Sequence, residues 1–418
     1  MSFRFQRGRV VVLIAAGIGV GLTAWVLSRS FPPSPLGLAS DFRLFYSAAA
    51  LVRAGGDPYR HAALALVEQR TWPAPGVAIS YVYPPALAAL LAPLSRLPFW
   101  TAYVVYSLLG LAAASATIAL FARRLGWRHG GLLAAAVVTS WVGFSGLKVG
   151  QEDMFLLAAL LGALLLAWSD RALGAGLLMG FAWLKPDLLW PAVIFLGLAL
   201  WPDRRAVARY LVGALATSAV MLGLSLRLLP QWLHAMTAFG GSIGYPPNRA
   251  EAGLVSWVDA LPPGWHLGVG LASPLTWGIV LAALASLAWL GHQILASPRW
   301  AGLSRERRLL WAVSLALGIW LLAAPDVHPN DYLLLLPALV LVLGKDGASA
   351  GRLGPAATVL LMATLPLPWH VPPVGLTPVA VVVLIAVGAA AFRRETEGSA
   401  QLPPRAVEEG AKPTMAVL

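Results

Sequence analysis

The sequence predicts an all-α polytopic membrane protein, and three observations carry that prediction. Of 418 residues, 59% are hydrophobic and only 11% charged, too few charges to coat a soluble globule of this size. Apolar windows recur near residues 10–28, 99–122, 130–147, 154–169, 172–184, 188–201, 208–226, 272–296, 309–324, 331–344, 354–368 and 375–392. That makes a bundle of about twelve transmembrane helices, several of them shorter than the roughly 20 residues a perpendicular helix needs and so candidates for broken or interfacial helices. Basic residues fall in alternate hops between the windows, as the positive-inside rule requires.

The first window follows Arg4, Arg7 and Arg9. It exceeds the roughly 7–15 apolar residues of a secretory signal, so it reads as an uncleaved first span. With the N-terminus cytoplasmic, the inside hops hold Arg123, Arg124 and Arg128, then Arg171, then Arg204, Arg205 and Arg209. Arg299, Arg305, Arg307 and Arg308 follow, then Lys345 and Arg352, and finally Arg393 and Arg394. This parity requires that 84–97 does not cross. The segment opens with Pro84-Pro85 and contains Pro93 and Arg96, which predicts an interfacial or re-entrant helix. Two long external loops, 29–83 and 227–271, complete one transmembrane domain over 1–393, and the Pro-, Glu-, Gly- and Ala-rich tail 394–418 reads as disordered and cytoplasmic.

Composition also excludes chemistry. With no cysteine, disulfides, Cys-ligated zinc and thiol catalysis are ruled out. The net charge of +12 resides in topology signals, with no basic stripe interleaved with aromatics, so nucleic acid is not an expected partner. Metal-ligand spacings such as H-E-x-x-H and D-x-D are missing, and no metal and no cofactor are expected. The G-x-S-x-G spacing at 240–244 has no strand before it and is not a hydrolase elbow. Gly17 with Gly21, and Gly176 with Gly180, have the spacing of close helix packing.

Four polar clusters fall where this topology places one membrane face, and polar groups at membrane depth usually line a site. Asp41 precedes Phe42, Phe45, Ala49 and Val52 at helical spacing with Gly55-Gly56 behind, the pattern of a short amphipathic helix on the membrane surface. Asp41 reads either as the N-cap of that helix or as a carboxylate able to take a proton from a substrate hydroxyl. Gly150-Gln151-Glu152-Asp153 is either a turn whose acids suit the start of the next helix or a binder of sugar hydroxyls. Lys185-Pro186-Asp187 breaks a long apolar run. Lys185 either snorkels or pairs with Asp187, or faces outward to hold a phosphate. Asp326-Val327-His328-Pro329-Asn330-Asp331 carries more polar groups than a turn needs, and His328 is placed to stabilise a phosphate or orient a carboxylate.

Taken in order, these segments resemble glycosyltransferase family 87. The likeness rests on Asp41-Phe42 with Tyr46-Ser47-Ala48-Ala49, Gly55-Gly56-Asp57-Pro58-Tyr59, Tyr83-Pro84-Pro85, Pro93-Leu94 and Leu97-Pro98, then Gly150-Gln151, Lys185-Pro186 and the segment 325–337. The chain departs from the family pattern at Asp153, where relatives often carry Asn, and at Asp326, where they often carry His. The resemblance implies a GT-C-like bundle in a bacterial-type plasma membrane, with an extracytoplasmic site and a catalytic aspartate in the first external loop, a position that Asp41 matches. It implies transfer of a hexose, mannose above all, from a polyprenyl-phosphate sugar to a glycan or glycolipid. Tyr46, Tyr59, Tyr83, Gln151, Asp153, Lys185, Asp326, His328 and Asp331 are the expected substrate-binding residues. A transporter or flippase of lipid-linked glycans is the rival, and it requires polar groups spread through the bilayer depth.

Overall fold

The computed structural model describes residues 39–71, 80–126, 130–242, 254–255, 273–324 and 327–343. Among them every regular element is helical and none is a strand. Three helices are long and apolar enough to cross a membrane: Phe99–Arg124, Arg204–Thr237 and Pro274–Ala296. The windows 10–28, 354–368 and 375–392 and the tail 394–418 lie outside the described residues; among the described residues three helices of spanning length stand where the other nine windows suggested nine spans.

The elements in chain order are α1 (Ser40–Arg53), α2 (His61–Thr71), α3 (Pro85–Leu91), α4 (Phe99–Arg124), α5 (Gly130–Thr139), α6 (Trp141–Val149), α7 (Asp153–Trp168) and α8 (Ala172–Met179). They continue with α9 (Pro186–Ala199), α10 (Arg204–Ser225), α11 (Leu229–Ser242), α12 (Pro274–Ala296), α13 (Pro298–Ala301), α14 (Arg305–Ala323) and α15 (Leu336–Leu343). Long helices start at recognisable signals. Asp203 caps α10 by accepting from the backbone N–H of Arg205 and Ala206, Ser304 caps α14 through Arg307 N–H, and α12 opens with Pro274. Rows of exposed apolar residues, Leu108, Leu109 and Leu120 on α4 and Leu211, Val212 and Leu215 on α10, suit contact with lipid rather than water.

The shorter windows are short because they are broken or buried. The window 130–147 divides at Ser140, whose hydroxyl caps α6 by accepting from Gly143 N–H at 3.2 Å. The run 172–201 divides where α8 tightens into a 3₁₀ turn, Gly180–Leu184, and Pro186 starts α9. A further 3₁₀ turn, Pro329–Leu335, leads into α15. α7 is enclosed by the others, with Leu156, Leu157, Leu160 and Leu161 fully buried. The segment 84–97 forms only α3 and a 3₁₀ turn, Leu94–Arg96. The 7 residues of α3 rise about 10 Å, against a hydrocarbon core of roughly 30 Å.

α1 departs from its expected setting. Phe42, Leu44, Phe45, Ala48 and Ala49 are buried, so the helix is packed inside the protein instead of lying on a membrane surface. The Phe42 ring sits 5.8 Å from Phe99, 5.6 Å from Tyr103 and 5.0 Å from Tyr106, against the first turns of α4. Buried Arg43 faces Glu68 of α2 at 3.8 Å.

α8 and α10 pack closely enough to require glycine. A Cβ on Gly176 would fall 2.0 Å from the Tyr210 carbonyl oxygen, and one on Gly213 would fall 2.2 Å from that of Leu173. The Gly176→Ala variant is expected to lose about 1–3 kcal/mol of stability through overpacking. Gly223→Ala, which meets nothing within 4 Å, should unfold like the parent. Thermal unfolding in detergent checks the pair, and equal midpoints would contradict the packing.

Candidate active site

The polar site forms where the broken helices meet at one end of α4, the end opposite Arg123 and Arg124. The N–H of Ala39 donates to the Lys148 carbonyl at 2.7 Å, joining the start of α1 to the end of α6. Tyr103 of α4 donates to the Leu147 carbonyl at 2.7 Å. Gly150 then turns the chain. Its φ of +80° favours glycine, and a Cβ there would fall 2.5 Å from the Cβ of Phe42. This close approach presents Gln151 to Asp41.

Asp41 does not cap α1. The N-cap position is Ala39, with φ 56° and no side-chain capping bond. The Asp41 carboxylate turns to α6 and α7 instead. Its Oδ2 accepts from Gln151 Nε2 at 2.5 Å, and its Oδ1 faces the Ser40 hydroxyl at 3.3 Å. The same Gln151 amide donates to the Tyr83 hydroxyl at 3.2 Å. Asp41 as a residue is only partly buried, while its carboxylate is largely enclosed by protein. Burial pushes its carboxyl above the usual carboxylate value, while His328 and the Gln151 bond pull it back.

Behind Gln151 lies an ion cluster. Lys185, 6% exposed, meets Glu152 at 1%, Asp153 at 0% and Asp331 at 0%, so all four are withdrawn from water. Lys185 Nζ lies 2.6 Å from Asp331 Oδ1, 3.5 Å from Asp153 Oδ1 and 3.8 Å from Glu152 Oε1. Asn330 Nδ2 donates to Asp153 Oδ2 at 2.6 Å, and Asp331 Oδ2 accepts from the His328 N–H at 2.7 Å. One ammonium opposes three carboxyl groups. Glu152 is the farthest from it, with neither oxygen hydrogen-bonded among the described residues. Desolvation pushes the Glu152 carboxyl up against the pull of Lys185.

The structure thus brings Asp41, Tyr83, Gln151, Asp153, Lys185, Asp331 and His328 into one connected region. Asp326 lies outside the described residues. Tyr46 and Tyr59 border the site through backbone ties: Tyr46 donates to the Leu97 carbonyl at 2.7 Å and Tyr59 to that of Tyr83 at 2.7 Å. Lys185 is turned inward and bonded to Asp331, so holding a phosphate would compete with that bond. Glu152, Asn330 and Tyr103 join the network without having been singled out. The first two stood inside clusters already recognised as polar, whereas Tyr103 sits in an apolar window with nothing to mark it.

Fold and site together define a helical membrane protein with a carboxylate-bearing polar site at one end. Residues 81–343 match the family model of glycosyltransferase family 87. The chain belongs to that family and is a glycosyltransferase. Neither the curated proteins nor the solved structures contain a match. Asp41 precedes the matched region, and its bond to Gln151 ties it to that region.

The ion cluster yields a direct expectation. Lys185→Met leaves buried carboxylates without a cation and should cost about 3–5 kcal/mol. Adding Asp331→Asn should recover part of that loss, because one acid is removed with the cation. Thermal unfolding of the single and double variants checks this, and an unaltered midpoint for Lys185→Met would contradict the cluster.

Proposed function

We propose that the chain moves a hexose, mannose, from a polyprenyl-phosphate sugar to a glycan or glycolipid on the extracytoplasmic side of a bacterial-type plasma membrane. The bundle then spans the bilayer many times, with the site on the face away from the basic hops. The reaction is a single inverting displacement. The acceptor hydroxyl oxygen bonds to the anomeric carbon, its proton passes to Asp41, and the bond from that carbon to the phosphate oxygen breaks, releasing the lipid monophosphate. One observation carries the proposal: Gln151 fixes the Asp41 carboxylate within the polar site, on a residue that is only partly buried, the positioning a general base needs.

The leaving group is already anionic, so a nearby cation serves it better than a general acid. His328, half-buried and within the electrostatic reach of Asp41, takes that role. Lys185 holds Asp331, which in turn holds the His328 backbone. Tyr83 accepts from Gln151 and keeps its own hydroxyl proton for a sugar oxygen. Tyr46 and Tyr59 shape the sugar pocket, Asp153 supports it from behind through Asn330 and Lys185, and Asp326 is on the segment beside His328. Transport of a lipid-linked glycan calls for charges through the bilayer depth, whereas the described ion cluster gathers at one end of α4.

Asp41→Asn should leave folding intact and slow transfer from polyprenyl-phosphate mannose by about 10²–10⁴-fold. Mass spectrometry of extracted lipids and glycans measures the product, and near-parental turnover would remove Asp41 from the chemistry. The pH profile offers a second check. Burial raises the carboxyl of Asp41, so the active ionised form is lost, as pH falls, at a higher pH than for an ordinary aspartate. The Gln151 bond favours the ionised form, and Gln151→Leu should therefore move the acid limb of kcat/KM to higher pH. A limb that stays in place or moves down would contradict this role for Gln151.

A further inference from the structure

Three exposed arginines surround the turn that follows α1. Arg53, the last residue of that helix, donates through Nε to the Ser95 hydroxyl at 3.0 Å, beside Arg96 in the 3₁₀ turn before α4. Arg227, in the 3₁₀ turn Leu226–Leu228 that extends α10, reaches back to the Gly55 carbonyl. Its two terminal nitrogens lie 3.8 Å from where a Gly55 Cβ would stand. A guanidinium has five N–H donors, so these single bonds orient Arg53 and Arg227 and leave donors directed at the surroundings. The nearby carboxylate of Asp57 is engaged by the Tyr59 N–H at 2.9 Å and faces Arg60 at 3.8 Å.

The setting points to lipid. Arg96 stands just before α4, and Arg227 stands just after α10 within the longer helical stretch Arg204–Thr237. Exposed Trp100 and Leu226 adjoin them in sequence, pairing cations with apolar groups as at a headgroup boundary. The patch is separate from the site of transfer. Twelve residue steps along α1 separate Arg53 from Asp41, about 18 Å, too far for one phosphate to touch both Arg53 and a sugar carbon beside Asp41.

We propose that Arg53, Arg96 and Arg227 bind the headgroup phosphodiester of an anionic membrane phospholipid. Phosphate is matched by guanidinium geometry, and clustered cations at a membrane boundary favour anionic over zwitterionic lipid. The lipid would fasten the α1 turn to the ends of α4 and α10, supporting the helix that carries Asp41.

The full chain is reconstituted in vesicles of equimolar phosphatidylglycerol and phosphatidylcholine, extracted in mild detergent, and its retained lipids counted by native mass spectrometry. The parent should retain phosphatidylglycerol over phosphatidylcholine by about tenfold. The combined Arg53→Gln, Arg96→Gln and Arg227→Gln variant, which keeps a donor for Ser95 and for Gly55, should retain the two equally. Extraction of the parent in about 1 M salt, where charges are screened within about 3 Å, should weaken the preference even if the triple variant does not fold. Equal retention by the parent, a preference unaffected by salt, or one undiminished in a folded triple variant would overturn the proposal. So would displacement of phosphatidylglycerol by added polyprenyl phosphate, which would mark the patch as a substrate site. The readout is binding alone and stands apart from the outcome of any transfer assay.

Discussion

Everything at the site is organised around a lysine buried among acids. Lys185 stands where α8 gives way to α9, and it draws in Glu152 and Asp153 from the α6–α7 junction and Asp331 from the turn before α15. Withdrawing four ionisable groups from water is costly unless they compensate one another. The three junctions are therefore locked in position: none can move without leaving a charge unpaired. Proline and glycine create the breaks in the helices, and the ion cluster fixes how the broken ends meet.

The consequence for chemistry is a rigid floor beneath a more accessible carboxylate. Asp41 comes from α1, outside the cluster, and connects to it through Gln151 alone among the hydrogen bonds described. Gly150 makes this contact possible by letting the α6–α7 turn pass against Phe42. The aromatic group of Phe42, Phe99, Tyr103 and Tyr106 holds α1 against α4 from the other side. An aspartate so held would lose little freedom in the proposed reaction on meeting an acceptor hydroxyl.

Long helices were legible in the sequence because their apolar windows were continuous, and the limits of α4, α7 and α12 lie within a few residues of the windows. Breaks were less legible. Ser140 is a small residue inside an apolar run, and only its capping bond shows that it ends one helix and starts another. The four polar clusters stood out by contrast with their surroundings. Their inner pairings did not, since a lysine facing a phosphate and a lysine facing three acids have the same local sequence. Whether Asp41 caps its helix is open in the sequence for a similar reason: a helix start suits a cap, and the turn of its carboxylate toward Gln151, more than a hundred residues away, is visible only in the fold.

In the proposed reaction Asp41 is the one proton acceptor beside the sugar and the lipid phosphate leaves opposite it, which permits a single displacement. Retention would require a second carboxylate close to the anomeric carbon to form a covalent intermediate, and among the described residues Glu152, Asp153 and Asp331 are buried around Lys185. The most direct measurement is the anomeric configuration of the product, read by NMR from the coupling across its anomeric C–H bond and compared with that of the polyprenyl-phosphate donor. Inversion is the result expected of Asp41 acting alone as base. Retention would contradict it and require a nucleophile that this account does not contain.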